Sequence, residues 1–87
     1  MKVVKITALW CSSCLVMNNV WNNLLKEKEI ETISLDYDID DISGYNVGEV
    51  LPVFIFYKDD KEIKRLVGEH SLSELKNVVE ELSWKSL

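Results

Sequence analysis

Both cysteines of the chain fall within one short stretch, Leu9-Trp10-Cys11-Ser12-Ser13-Cys14. Two thiols at this spacing can exchange with a disulfide, close a small disulfide of their own, or hold half of a metal site. Exchange needs a thiolate. A cysteine with the reference pKa near 8.5 is only about 3% ionised at pH 7, so an exchanging site must favour the anion. The start of a helix does this. Its dipole contributes about 0.3–2 kcal/mol toward a negative group, and its first N–H groups have no partner of their own. An apolar run, Val3-Val4-Lys5-Ile6-Thr7-Ala8-Leu9, precedes the pair, and a helical pattern beginning at Leu15 follows it. Cys11 therefore sits where a helix begins and reads as the attacking thiol. Cys14, one turn further in, is expected to be more buried and protonated, and reads as the resolving thiol.

The other chemistries fare worse. Closing a four-residue loop stabilises a fold by only about 2 kcal/mol, against about 4.7 for a hundred-residue loop. A structural zinc site needs four ligands, and beyond the two cysteines only His70 offers a nitrogen, so carboxylates would have to complete it. Asp36, Asp38, Asp40 and Asp41 resemble a calcium loop, but the glycine and the bidentate glutamate fall at the wrong offsets. No metal or cofactor site is expected.

The frame around the pair is small. Eighty-seven residues, 47% of them apolar and 29% charged, read as one domain, residues 1–87, with a modest core. A net charge of −5 argues against a nucleic-acid footprint and against an anionic membrane surface. No secretory leader or membrane span is visible, and two cysteines are too few for a secreted disulfide scaffold. The expected compartment is the cytosol, where disulfides are mostly transient and catalytic.

Element by element, residues 2–9 read as a strand buried on both faces. Ser12 or Ser13 can cap the next helix, whose stripe is Met17, Val20, Trp21, Leu24 and Leu25. Residues 30–37 read as a second strand, with Ile33, Leu35 and Tyr37 on the drier face. A right-handed βαβ unit with parallel strands follows. Residues 38–50 are rich in turn formers, with a short helical turn near 41–45. Val53–Tyr57 and Glu62–Val67 form a hairpin with a charged outer edge, and Gly68 ends it. Ser71-Leu72-Ser73-Glu74 is a capping box for a last helix with Leu72, Leu75, Val79 and Leu82 inward. Trp10 should form an exposed apolar lip, Trp21 and Trp84 should pack, and His70 should be solvated near a helix start.

The order β-α-β, then β-β-α, with Trp-Cys-x-x-Cys after the first strand, resembles the thioredoxin family over nearly the whole chain. The resemblance rests on Trp10–Cys14, Leu35-Asp36-Tyr37-Asp38, Leu51-Pro52-Val53-Phe54-Ile55-Phe56-Tyr57 and Gly68. It implies an α/β fold with a four-stranded mixed sheet flanked by helices. It also implies a cis bond at Leu51-Pro52 and a substrate groove at Trp10, Leu51, Pro52 and Gly68. The implied activity is reduction of protein disulfides by a monomer, recharged by a thioredoxin-reductase-like enzyme or another dithiol.

The pattern departs from the family in several places. The chain lacks the extra N-terminal strand and helix of a full-length thioredoxin, so it resembles a minimal or glutaredoxin-sized version. The family's buried carboxylate in the first strand aligns with Lys5, unless the Lys5 ammonium simply reaches water at an edge. Ser12-Ser13 matches neither Gly-Pro nor Pro-Tyr. Val50-Leu51 and Gly68-Glu69-His70 replace the Thr-Val and Gly-Gly of glutathione binders, which disfavours a dedicated glutathione site; a glutaredoxin-like, glutathione-dependent reductase is the alternative within the same class. A redox-sensing interaction module remains the alternative of a different kind.

Overall fold

A computed structural model describes residues 1–85, with side chains to residue 83. Seven elements follow in order: β1 (Lys2–Thr7), α1 (Ser12–Leu25), β2 (Glu31–Asp36), a 3-10 turn (Ser43–Tyr45), β3 (Val53–Lys58), β4 (Lys61–Val67) and α2 (Leu72–Lys85). The strands form one mixed sheet in the order β2-β1-β3-β4. β1 pairs parallel to β2 and antiparallel to β3, and β3 pairs antiparallel to β4. Among the described residues no helix is long and apolar enough to cross a membrane.

The alternation of side chains along β1 and β3 sorts the core into two layers. Val3, Phe54 and Phe56 point to one face, where Met17, Trp21 and Leu24 of α1 meet Leu75, Val79 and Leu82 of α2. Val4, Ile6, Val53 and Ile55 point to the other. Both long helices therefore lie on one face. The second face is closed by the irregular segment between β2 and β3, through Tyr37, Ile42, Tyr45 and Val47. That segment is held by its polar residues. Asp36 accepts the N–H groups of Asp38 and Ile39, Asp40 accepts that of Asp36, and Asp41 caps Ser43. Arg65 on β4 reaches across to the Asn46 carbonyl at 3.2 Å while its fork grips Glu62. The acidic run thus builds turns, and among the described residues no cluster of three or more His, Cys, Asp or Glu is placed to hold a metal.

Several expectations shift. The first strand stops at Thr7 rather than at residue 9: the Cys11 N–H bonds back to the Ala8 carbonyl at 3.2 Å, and Leu9 is left 86% exposed in the turn. Neither serine caps α1; Ser12 and Ser13 are its first two residues, and Cys11 is the cap. β2 is an edge strand, so Ile33 stays exposed while Leu35 and Tyr37 are half-buried. The hairpin is one residue tighter on each side, turning through Asp59 and Asp60 with both φ angles positive. The Ser71–Glu74 capping box forms reciprocally, at 3.1 and 3.2 Å. Trp84 lies outside the residues whose side chains are described.

Trp21 is the central side chain of the helix-covered layer. It is fully buried, tilted against Phe54 at 5.1 Å and edge-on to Phe56 at 6.2 Å. Its indole N–H would be orphaned there but for Thr32, whose hydroxyl accepts it at 3.0 Å and donates to the Ile30 carbonyl. Thr32→Val keeps the shape and removes that acceptor. It should destabilise the protein by about 1–3 kcal/mol, read from the urea midpoint, despite the better strand propensity of valine.

Candidate active site

Central strand β1 delivers the chain to one edge of the core, and the turn at Ala8–Cys11 reverses it into α1. Cys11 adopts the extended conformation of an N-cap (φ −94°, ψ 109°), and its Sγ accepts the Cys14 N–H at 3.2 Å. The 14-residue helix thus begins on a sulfur, with the dipole and an otherwise unpaired donor directed at it. Both thiols are reduced and lie below the surface, Cys11 with 8% and Cys14 with 1% of its area accessible. Burial, followed by the contact with Cys11, pushes the Cys14 thiol up to about 11; the Ala8 backbone and Lys5 pull the other way.

Lys5 is not at an edge. It sits in the middle of β1, half-buried, in register with Ser34 on β2 and Phe54 on β3. Burial pushes its ammonium below the usual lysine range, and the Cys14 thiolate would raise it again.

The residues expected to line a groove are only partly brought together. Leu51 joins Cys11 and Cys14 in the second-face cluster, where it is buried. The Leu51-Pro52 bond is cis, and Pro52 is buried. No hydrogen bond of the Leu51 backbone to another described residue is formed, whereas the Pro52 carbonyl is taken by the Gly68 N–H at 2.9 Å. Gly68 has φ +84°, a conformation that suits glycine, although a Cβ there would meet only Val50 at 3.9 Å. Trp10 stands apart at the rim, 63% exposed. Its indole N–H donates to Asp38 at 2.6 Å, and its ring meets Tyr37 edge-on at 6.2 Å. Sequence reading missed this anchor, although Tyr37 and Asp38 follow directly on β2. His70 is half-buried rather than solvated. Its backbone N–H reaches Met17 Sδ, and its ring nitrogens face Glu74 and the Val67 carbonyl. Those contacts tie the approach to α2 to Met17 of α1 and to the end of β4, and none is with a thiol.

Sheet order, the helix that starts on the first cysteine and the cis Leu51-Pro52 bond, whose leucine packs with the pair, define a thioredoxin-like protein. The Thioredoxin family model matches residues 1–81, and the chain belongs to that family. It is 35% identical over 69 residues to thioredoxin H-type 1 of Nicotiana tabacum, covering 76% of this chain and 54% of that one. It is 27% identical over 90 residues to the 14 kDa light chain of the flagellar outer-arm dynein of Chlamydomonas reinhardtii, covering 99% of this chain and 68% of that one. Among solved structures, thioredoxin 1 of Thermosipho africanus superposes with a TM-score of 0.85 at 25% identity, covering 99% of this chain and 98% of that one. The chain thus spans about half the length of the tobacco relative and nearly all of the bacterial one.

The Cys14 environment gives stability a defined pH dependence. A thiol held at about 11 in the folded state binds its proton more tightly than the unfolded chain does. The contribution is complete below the unfolded thiol range, near 8.5, and is lost as pH rises toward the folded value. The urea midpoint of the reduced protein should therefore fall between about pH 8.5 and 11 relative to that of Cys14→Ala, with no such divergence between pH 6 and 8.

Proposed function

We propose that this protein reduces disulfides of other proteins through the Cys11/Cys14 dithiol. The observation that carries the reading is the Cys11 sulfur capping α1, 3.2 Å from the Cys14 N–H. The helix start favours negative charge on Cys11 and stabilises it as a leaving group. Cys11 attacks one sulfur of the substrate, that disulfide breaks, and a mixed disulfide joins Cys11 to the substrate. Cys14 loses its proton and attacks Cys11 Sγ; the mixed disulfide breaks and the second substrate sulfur leaves as a thiolate. Two electrons pass to the substrate, and the Cys11–Cys14 disulfide remains.

Macromolecular substrates fit the surroundings. Leu9, Trp10, Leu15, Val16 and Val50 are all at least half exposed, and each lies within a few residues of Cys11, Cys14 or Pro52 in sequence. The free Leu51 backbone can pair with an extended segment laid along this rim, with Gly68 allowing close approach. A reductant of the thioredoxin-reductase class or another dithiol restores the pair in the cytosol, the protein acting as a monomer.

The dynein light-chain relative, matching nearly the whole chain, favours a second reading, in which the same rim binds a partner and the thiols only switch affinity. Turnover separates the two. With dithiothreitol as reductant, the wild-type protein should reduce insulin catalytically. Cys11→Ser should fall to the uncatalysed background, and Cys14→Ser should accumulate mixed disulfides visible by mass spectrometry. Binding without turnover would establish the second reading instead.

A further inference from the structure

The interior beside Cys14 is more polar than packing alone requires. Phe54, the cross-strand partner of Lys5, lies in the layer under α1 and α2, so Lys5 stands on that same face of β1. Val3, on that face also, packs with Trp21 and Leu24 near the end of α1. Lys5 is two residues further along β1, toward the start of the helix and Cys14. Its flanking partners Ser34 and Phe54 carry no charge, and no carboxylate forms an ion pair with it among the described residues. The titratable groups that act on Cys14 are Cys11, on its own helix, and Lys5, from β1. One turn beyond Cys14, and so on its side of α1, Asn18 holds a buried Oδ1 that no donor reaches among the described residues. Cys14 shares the buried stripe of α1 with Met17, Trp21 and Leu24. A half-buried cation that no carboxylate pairs among the described residues and a carbonyl oxygen without a donor therefore both lie on the side of α1 that carries this thiol, and such groups in an interior call for a functional explanation.

We propose that Lys5 is a positioning residue for the resolving step: its ammonium, anchored on the helix-covered face of β1, stabilises the Cys14 thiolate as it forms. This rests on the dithiol reading above. The Cys14 S–H proton leaves to solvent, and the thiolate forms its bond to Cys11 Sγ. The bond between Cys11 and the substrate sulfur breaks, and the departing thiolate takes a proton from solvent. Lys5 stays protonated throughout and exchanges neither electrons nor protons. Its part is to raise the fraction of Cys14 that is anionic at neutral pH.

Reaction of the reduced protein with 5,5′-dithiobis(2-nitrobenzoate) isolates this step. Attack by Cys11 releases one thionitrobenzoate and leaves another on the protein; attack by Cys14 releases the second. In Lys5→Met the thiolate absorbance of Cys14, titrated in a Cys11→Ala background, should move up by about one pH unit. The second release should slow about threefold at pH 7, the tenfold loss of thiolate being partly offset by its greater nucleophilicity. The first release should be unchanged, and Lys5→Arg should restore the second. An unmoved titration overturns the proposal. So does equal slowing of both releases, or Lys5→Arg behaving like Lys5→Met. If the wild-type protein releases only one equivalent, the dithiol reading itself fails, and the role of Lys5 with it.

Discussion

The structure turns on a sulfur acting as a helix cap. The usual caps are oxygens of serine, threonine, asparagine or aspartate, which satisfy the N–H of the third helical residue. Here a serine is available at each of the next two positions, and yet α1 begins one residue earlier, on Cys11. The difference matters because a hydroxyl in that place is inert, whereas a thiol can ionise. The N–H of Cys14 and the dipole of the helix are then spent on an atom that can carry charge. The same arrangement buries Cys14 one turn in, where burial favours the neutral thiol.

The rest of the fold keeps this junction in place. β1 is central, bonded on both sides, and its end fixes where the turn begins. The antiparallel neighbour β3 brings Leu51 into the cluster of the thiols, and the Gly68 N–H locks the Pro52 carbonyl. Trp21 and the two phenylalanines of β3 anchor the far half of α1. The loop between β2 and β3 does on the second face what α1 and α2 do on the first. One of its aspartates, Asp38, holds Trp10 at the rim. Core and site therefore share residues: Cys11, Cys14 and Leu51 are members of the second buried layer as well as of the candidate site.

Much of this was legible in the sequence. The spacing of the cysteines, the helical stripe of α1, the apolar run of β3 and the capping box of α2 are local signals, and each element appeared where its pattern placed it. What was not legible depended on how particular backbone and side-chain groups close on one another. The end of β1 is set by a backbone turn that apolar residues such as Leu9 do not announce. The role of the aspartates between β2 and β3 emerges only when their carboxylates close turns, and their composition alone suggested little beyond a loop. His70 looked like a surface residue because the Met17 sulfur that takes its N–H lies on α1, 53 residues away in sequence. For Lys5 the sequence left two readings open, the position of the family's buried carboxylate or an ammonium in water at an edge; the central position of β1 removes the edge, and Lys5 is half-buried there.

The most direct test of the sulfur-capped helix is the selectivity of alkylation in the reduced, folded protein. At neutral pH and limiting iodoacetamide, peptide mapping should find the label on Cys11 and leave Cys14 unmodified, with both labelled alike once the protein is unfolded in urea. Equal labelling of the two cysteines in the folded protein, or labelling of Cys14 ahead of Cys11, would contradict the account.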